Sequence, residues 1–186
     1  MNIEIKQAIL RVIPFVIILI VLFLAIKKGK INRDEINLKK PIDWSKLFIC
    51  SLGFLLFVLA TEIIFYKFGL LTLEPWKHAF LPSLIRIVGA VICAPMAEEI
   101  IFRGLLLSKL HSKLNNMHLA IFLQAVLFVL LHNFAYENTV SSNIGIVQSF
   151  IDASLFAYAK YYTKSLYTPI LMHMSGNFVA VFERML

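Results

Sequence analysis

The stretch "AEEIIFRG", residues 97–104, sets two adjacent carboxylates and an arginine inside a segment that is apolar on both sides. On a soluble surface such a group is an ordinary solvated helix end. At membrane depth each charge costs about 2.5–3.5 kcal/mol on insertion scales, so it faces a bundle interior and calls for a functional reading. Composition chooses between the two. Hydrophobic residues make up 60% of the chain and charged residues 16%, with a mean hydropathy of +0.81, well outside the soluble globular range. The expected fold class is all-α, a polytopic membrane helix bundle.

Outward from that stretch, six apolar runs alternate with short polar connections. They cover roughly residues 9–26, 47–66, a third from about Leu81, then 117–135, 144–162 and 169–186. At about 20 residues per crossing, 186 residues hold six transmembrane helices and no separate soluble domain. The first run lacks a small-residue cleavage pattern before "KKGK" and reads as a retained span. Residues 1–80 read as two N-terminal transmembrane helices with a basic loop, and 81–186 as a catalytic core of four helices.

Net charge is +7 and the isoelectric point about 9.5. The basic residues fall in short loops between apolar runs, which points to the positive-inside rule and away from nucleic acid. Lys27, Lys28, Lys30, Arg33, Lys39, Lys40 and Lys46 follow the first run, whereas "YENTVSSN" after the fourth has none. The first loop is therefore expected in the cytoplasm, with Arg103, Lys109, Lys113, Lys160 and Lys164 on the same side, both termini outside, and Lys67 and Lys77 as exceptions. Thirteen lysines against five arginines hint at an AT-rich bacterial genome, hence a bacterial cytoplasmic membrane. Cys50 and Cys93 form no CxxC or Cys/His cluster and read as packing residues.

The intramembrane polar residues are Glu62, Arg86, Glu98, Glu99, Arg103, His132, Asp152 and His173. On a helix Glu99 and Arg103 are four apart, share a face and pair in the favourable acid-first order. That neutralises one carboxylate and leaves Glu98, turned by about 100°, as a candidate general base. Phe128 and His132 share a face by the same step, as do His173 and Asn177. Counting about 1.5 Å per residue puts Glu98 about 18 Å and His132 about 22 Å from their cytoplasmic helix ends, but His173 only about 6 Å past Pro169. That third depth requires a deeper turn between the fifth and sixth helices, or a tilted helix. Glu62, Arg86 and Asp152 read as interhelical pairs or cavity lining, with an ion path as the transporter alternative. Ser175 lacks a GxSxG context and does not read as a nucleophile.

The ordered set EExxxR (Glu98, Glu99, Arg103), FxxxH (Phe128, His132) and HxxxN (His173, Asn177) resembles the CPBP family, which holds CAAX prenyl endopeptidases and bacteriocin-processing enzymes and is often annotated Abi. The resemblance covers about Leu81 to Val181. The sequence departs from the family at Asp152, Ala153 and Ala157, where glycine is frequent, and at Lys164, which stands for a usual turn glycine. The resemblance implies an intramembrane peptidase. Its catalytic residues would be Glu98 and His132, holding and deprotonating a water, and His173 and Asn177, donating to the oxyanion. Glu99, Arg103 and Phe128 would be structural support. A zinc on Glu98, His132 and His173 is the metalloprotease alternative. The absence of HExxH and the metal-free description of an archaeal relative favour activated water with no cofactor. The expected partners are a peptide or membrane-protein substrate and the lipid bilayer. The rival class is a non-catalytic scaffold or bacteriocin-immunity protein of the same fold.

Overall fold

A computed structural model describes residues 2–70 and 75–185; the side chains of residues 133 and 134 lie outside the described set. Six helices make up the bundle: α1 (Ile3–Lys27), α2 (Trp44–Lys67), α3 (Phe80–Leu114), α4 (Met117–Leu130), α5 (Val140–Thr163) and α6 (Tyr167–Glu183). No strand occurs among the described residues. The protein is an all-α helical membrane bundle. Three helices, α1 to α3, are long and apolar enough to cross a membrane by themselves, and α4 is a shorter apolar helix.

Local chemistry sets the boundaries. Asp43 caps α2 by accepting from Ser45 N–H at 2.8 Å. Asn115, left-handed at φ 48°, ends α3, and Asn116 caps α4 by accepting from Leu119 N–H at 3.1 Å. Thr139 and Ser142 form a reciprocal capping box at the start of α5. Lys164 takes the left-handed cap of α5 at φ 54°, the conformation that glycine adopts without strain.

α1 packs on α3, α2 on α6 and α5, and α4 against both α3 and α5. Ala120, Ala125, Ala153 and Ala157 are fully buried, so α4 and α5 pack on alanine, at Ala153 and Ala157 in place of the glycine frequent in the resembled family. Leu10, Ile17 and Phe23 on α1 and Phe48 and Leu52 on α2 remain exposed, the surface a hydrocarbon solvent covers. Cys50 and Cys93 are both free and half-buried.

Two features differ from the sequence reading. The run expected over 117–135 is helical only to Leu130, because His132 N–H turns to Val129 O at 2.9 Å and a 3-10 turn, Asn133–Tyr136, follows. The long polar loop, 28–43, also does more than face water. It covers the α5–α6 turn: Leu166 N–H donates to Asn37 O at 2.7 Å, Ser165 Oγ to Lys39 O at 2.6 Å, and Ile36 is 3% exposed. The turn therefore sits inside the bundle, which gives His173 the depth that a surface turn would deny it.

α3 widens twice into π-helical turns, Val88–Cys93 and Ile100–Leu106, on either side of Ala94–Glu99. Gly89 in the first turn is where α1 meets α3: a Cβ there would collide with the Val12 side chain. Gly89→Ala should lower thermal stability by about 1–3 kcal/mol through overpacking. Val12→Ala in the same chain should restore most of the loss. Gly53→Ala, with nothing within 4 Å of the new methyl, should leave the melting temperature in detergent unchanged.

Candidate active site

The second wide turn of α3 begins immediately after Glu98 and Glu99. Arg103 Nη1 donates to Glu99 Oε1 at 2.8 Å, and both side chains are fully buried. The i,i+4 pair read from the sequence is present. What the sequence reading missed is its third member: His173 Nδ1–H donates to the same Glu99 oxygen, also at 2.8 Å, since a carboxylate oxygen only accepts. Glu99 is thus the link between α3 and α6 as well as the partner of Arg103.

That bond fixes the imidazole. With the proton on Nδ1, His173 turns Nε2 towards Glu98, 3.8 Å from Oε2. The separation is beyond a direct hydrogen bond, and such contacts often tighten only when substrate binds. Glu98 is the more accessible acid, with 19% of its side chain exposed against none for Glu99. It lies within electrostatic reach of both His173 and His132. It faces the histidine that its neighbour holds.

His132 lies on the turn beyond α4, not within the helix, yet its ring folds back and Nδ1–H donates to Phe128 O at 2.8 Å. The tautomer places its lone pair on Nε2. Phe128 touches more than the expected His132: its ring centroid is 4.7 Å from that imidazole, 6.2 Å from the His173 ring and 4.5 Å from the Arg103 guanidinium carbon. Phe156 on α5 stacks on His173 at 5.1 Å and 25° and lies 5.2 Å from Arg103. Phe156 was invisible as a site residue. The available signal was its position four residues after Asp152, on the same face of α5.

Asn177 is placed differently from the oxyanion donor expected. Its Nδ2–H donates to Ala90 O at 2.8 Å. In the first wide turn Ala94 N–H reaches back five residues to Gly89 O, and the next donor in that register would be Pro95, which has no N–H. Ala90 O is left over and α6 supplies the missing donor. Lys160, read as a cytoplasmic surface cation, is 4% exposed and makes the corresponding bond at the second wide turn, donating to Arg103 O at 2.6 Å. Its methylene stem lets the ammonium reach that carbonyl and Ser108 Oγ, 3.0 Å away, without leaving the bundle.

The remaining polar residues sit outside this cluster. Glu62 accepts from Gln148 Nε2 at 3.1 Å and Arg86 is buried on the α1 side, while Asp152, with a buried carboxylate oxygen that has no hydrogen bond, lies at the cluster's edge within electrostatic reach of His173 and Arg103. Ser175 Oγ–H donates to Met172 O at 2.7 Å, a bond within its own helix. Among the described residues no three His, Cys, Asp or Glu side chains come together as a metal-binding group.

A profile of the type II CAAX prenyl endopeptidase Rce1-like family matches residues 79–179, a span that contains every residue of this cluster. The chain belongs to that family. At the level the family supports, this Rce1-like protein is a CAAX-type intramembrane protease, a hydrolase that acts on a peptide, and an integral membrane protein. Neither the search of curated proteins nor that of solved structures gave a match.

Glu99→Gln removes the charge shared by Arg103 and His173 and strands a guanidinium with no exposed surface. A loss of about 3–5 kcal/mol is expected from breaking such a buried pair. Glu99→Gln combined with Arg103→Met should be more stable than Glu99→Gln alone, measured by urea or thermal unfolding in detergent.

Proposed function

We propose that this Rce1-like protein cleaves a peptide bond within or beside the bilayer with a water activated by Glu98 and His132. The observation that carries this reading is His173 held between the two carboxylates, 2.8 Å from Glu99 and 3.8 Å from Glu98. An ion-paired acid orients the imidazole while a more exposed acid beside it retains its basicity. That division of labour is what general acid–base hydrolysis requires.

Glu98 takes a proton from the water, whose oxygen attacks the scissile carbonyl carbon. His173, carrying protons on both ring nitrogens from the outset and anchored through Nδ1, offers Nε2–H to the developing oxyanion and keeps that proton throughout. Collapse breaks the C–N bond, and the proton held by Glu98 passes to the leaving amine, giving a carboxylate and an amine. His132 Nε2 orients the water. Asn177 in its observed position fastens α6 to α3 and keeps one further amide hydrogen for the oxyanion. Nothing in this sequence of steps requires a metal, and the substrate is a peptide or a membrane protein of a bacterial host. In that setting the protein would lie in the cytoplasmic membrane.

Purified protein with a panel of membrane-associated peptides tests the assignment. Glu98→Gln and His132→Ala should each lower kcat/KM by about 10²–10⁴-fold, the usual contribution of general acid–base catalysis. Chelator should leave wild-type cleavage intact. Loss in chelator with recovery on adding zinc moves Glu98, His132 and His173 to the role of ligands. Equal cleavage by wild type and Glu98→Gln at equal membrane levels means a scaffold or immunity protein that has kept the motifs.

A further inference from the structure

A second polar feature lies towards the start of α3 and adjoins the hydrolytic cluster through Ala90 and Asn177. A cavity of about 620 Å³ opens between α1, the start of α3 and the end of α6. Arg11, Arg86 and Arg184 line it. No Asp or Glu does so among the described residues. His78 is also on its wall, but Glu4 already occupies that ring, accepting from Nδ1–H at 3.0 Å. Arg184 also lines a neighbouring depression that holds Glu62, Gln148 and Glu183.

Arg86 is the informative member. It is 8% exposed, its Nε is buried without a hydrogen bond, and its side chain makes no ion pair among the described residues. A guanidinium buried in an apolar bundle without an anion is strongly unfavourable. Arg103, the comparable residue at the catalytic cluster, has Glu99. No described residue supplies its counter-ion, so an anion entering the cavity would do so.

We propose that this cavity binds a phosphate group, with Arg86 as its principal ligand and Arg11 and Arg184 completing the cradle. Three guanidinium groups suit the several acceptor oxygens of phosphate, which planar guanidinium binds in bidentate pairs. Val12, Phe15 and Val181 form an apolar wall beside them, as the root of an acyl chain would need. A phospholipid headgroup and free phosphate share this chemistry. A peptide carboxylate held by the catalytic site does not fit as well. Arg86 precedes Glu98 by twelve residues, up to about 18 Å along a helix, whereas three extended residues past a cleaved bond span about 10 Å. The cavity shares Asn177 with the hydrolytic cluster, whereas its three arginines take no part in the proposed hydrolysis.

Trp76 lines the same cavity and donates its indole N–H to Ser83 Oγ at 2.7 Å, so its emission reports occupancy. Delipidated full-length protein carrying Trp44→Phe would be titrated in neutral detergent with phosphatidylglycerol, with inorganic phosphate and with diacylglycerol. A saturable change with phosphatidylglycerol, none with diacylglycerol, and at least a tenfold weaker response in Arg86→Gln are expected. Arg11→Gln and Arg184→Gln, at exposed positions, should each weaken the response several-fold and guard against a folding defect at Arg86. Saturation by inorganic phosphate alone identifies free phosphate as the source and keeps the site. Unchanged affinity in all three variants, an equal response to diacylglycerol, no saturable response, or tighter binding of a tripeptide with a free carboxylate would overturn the proposal.

Discussion

One oxygen atom holds the core of this protein together. Glu99 Oε1 accepts from Arg103 within its own helix and from His173 on α6, both at 2.8 Å and with no exposed surface on the acid. Such an arrangement survives burial only if the guanidinium is also solvated by something other than water. The rings of Phe128 and Phe156 serve that purpose at 4.5 and 5.2 Å, each contact worth about 0.5–2 kcal/mol as a cation–π interaction. Four helices are thereby committed to one point: α3 and α6 by charge, α4 and α5 by aromatic faces. The catalytic geometry follows, because His173 cannot turn away from Glu98 without giving up Glu99.

The widened turns of α3 explain how a single helix carries so much. A π-helical turn shifts the backbone register and presents a carbonyl that its own helix does not satisfy, a feature that recurs at functional sites. Asn177 from α6 takes Ala90 O and Lys160 from α5 takes Arg103 O. These two bonds bracket Glu98 and Glu99 along the chain and fix the stretch of α3 on which the acids stand. Two polar side chains that look catalytic or solvent-facing in the sequence thus serve as interhelical fasteners.

The constellation was readable because its spacing is helical and its residue types are costly in lipid. Glu99 with Arg103, and Phe128 near His132, followed from four-residue steps. The depth of His173 was left open between a deeper α5–α6 turn and a tilted helix, and the 28–43 loop covers that turn through bonds between residues more than a hundred apart. Phe156 carried only the faint signal of its spacing from Asp152, and the anchoring of His173 by Glu99 carried no local signal at all. Both arise where helices distant in sequence cross, and a single-helix periodicity has no term for such crossings.

Apolar runs, their lengths and the intramembrane charges determined by themselves that this is an all-α membrane bundle with a hydrolase-like motif set of the family it belongs to. Those properties are local or compositional: a backbone in hydrocarbon must bond within its own helix, and a charge there must be used or paired. Only the tertiary structure decided that Glu99 also anchors His173, where Asn177 and Lys160 donate, and that Arg86 has no ion-pair partner among the described residues while Arg103 has one. Each of those outcomes depends on distances of a few ångströms between separate helices, and packing sets them.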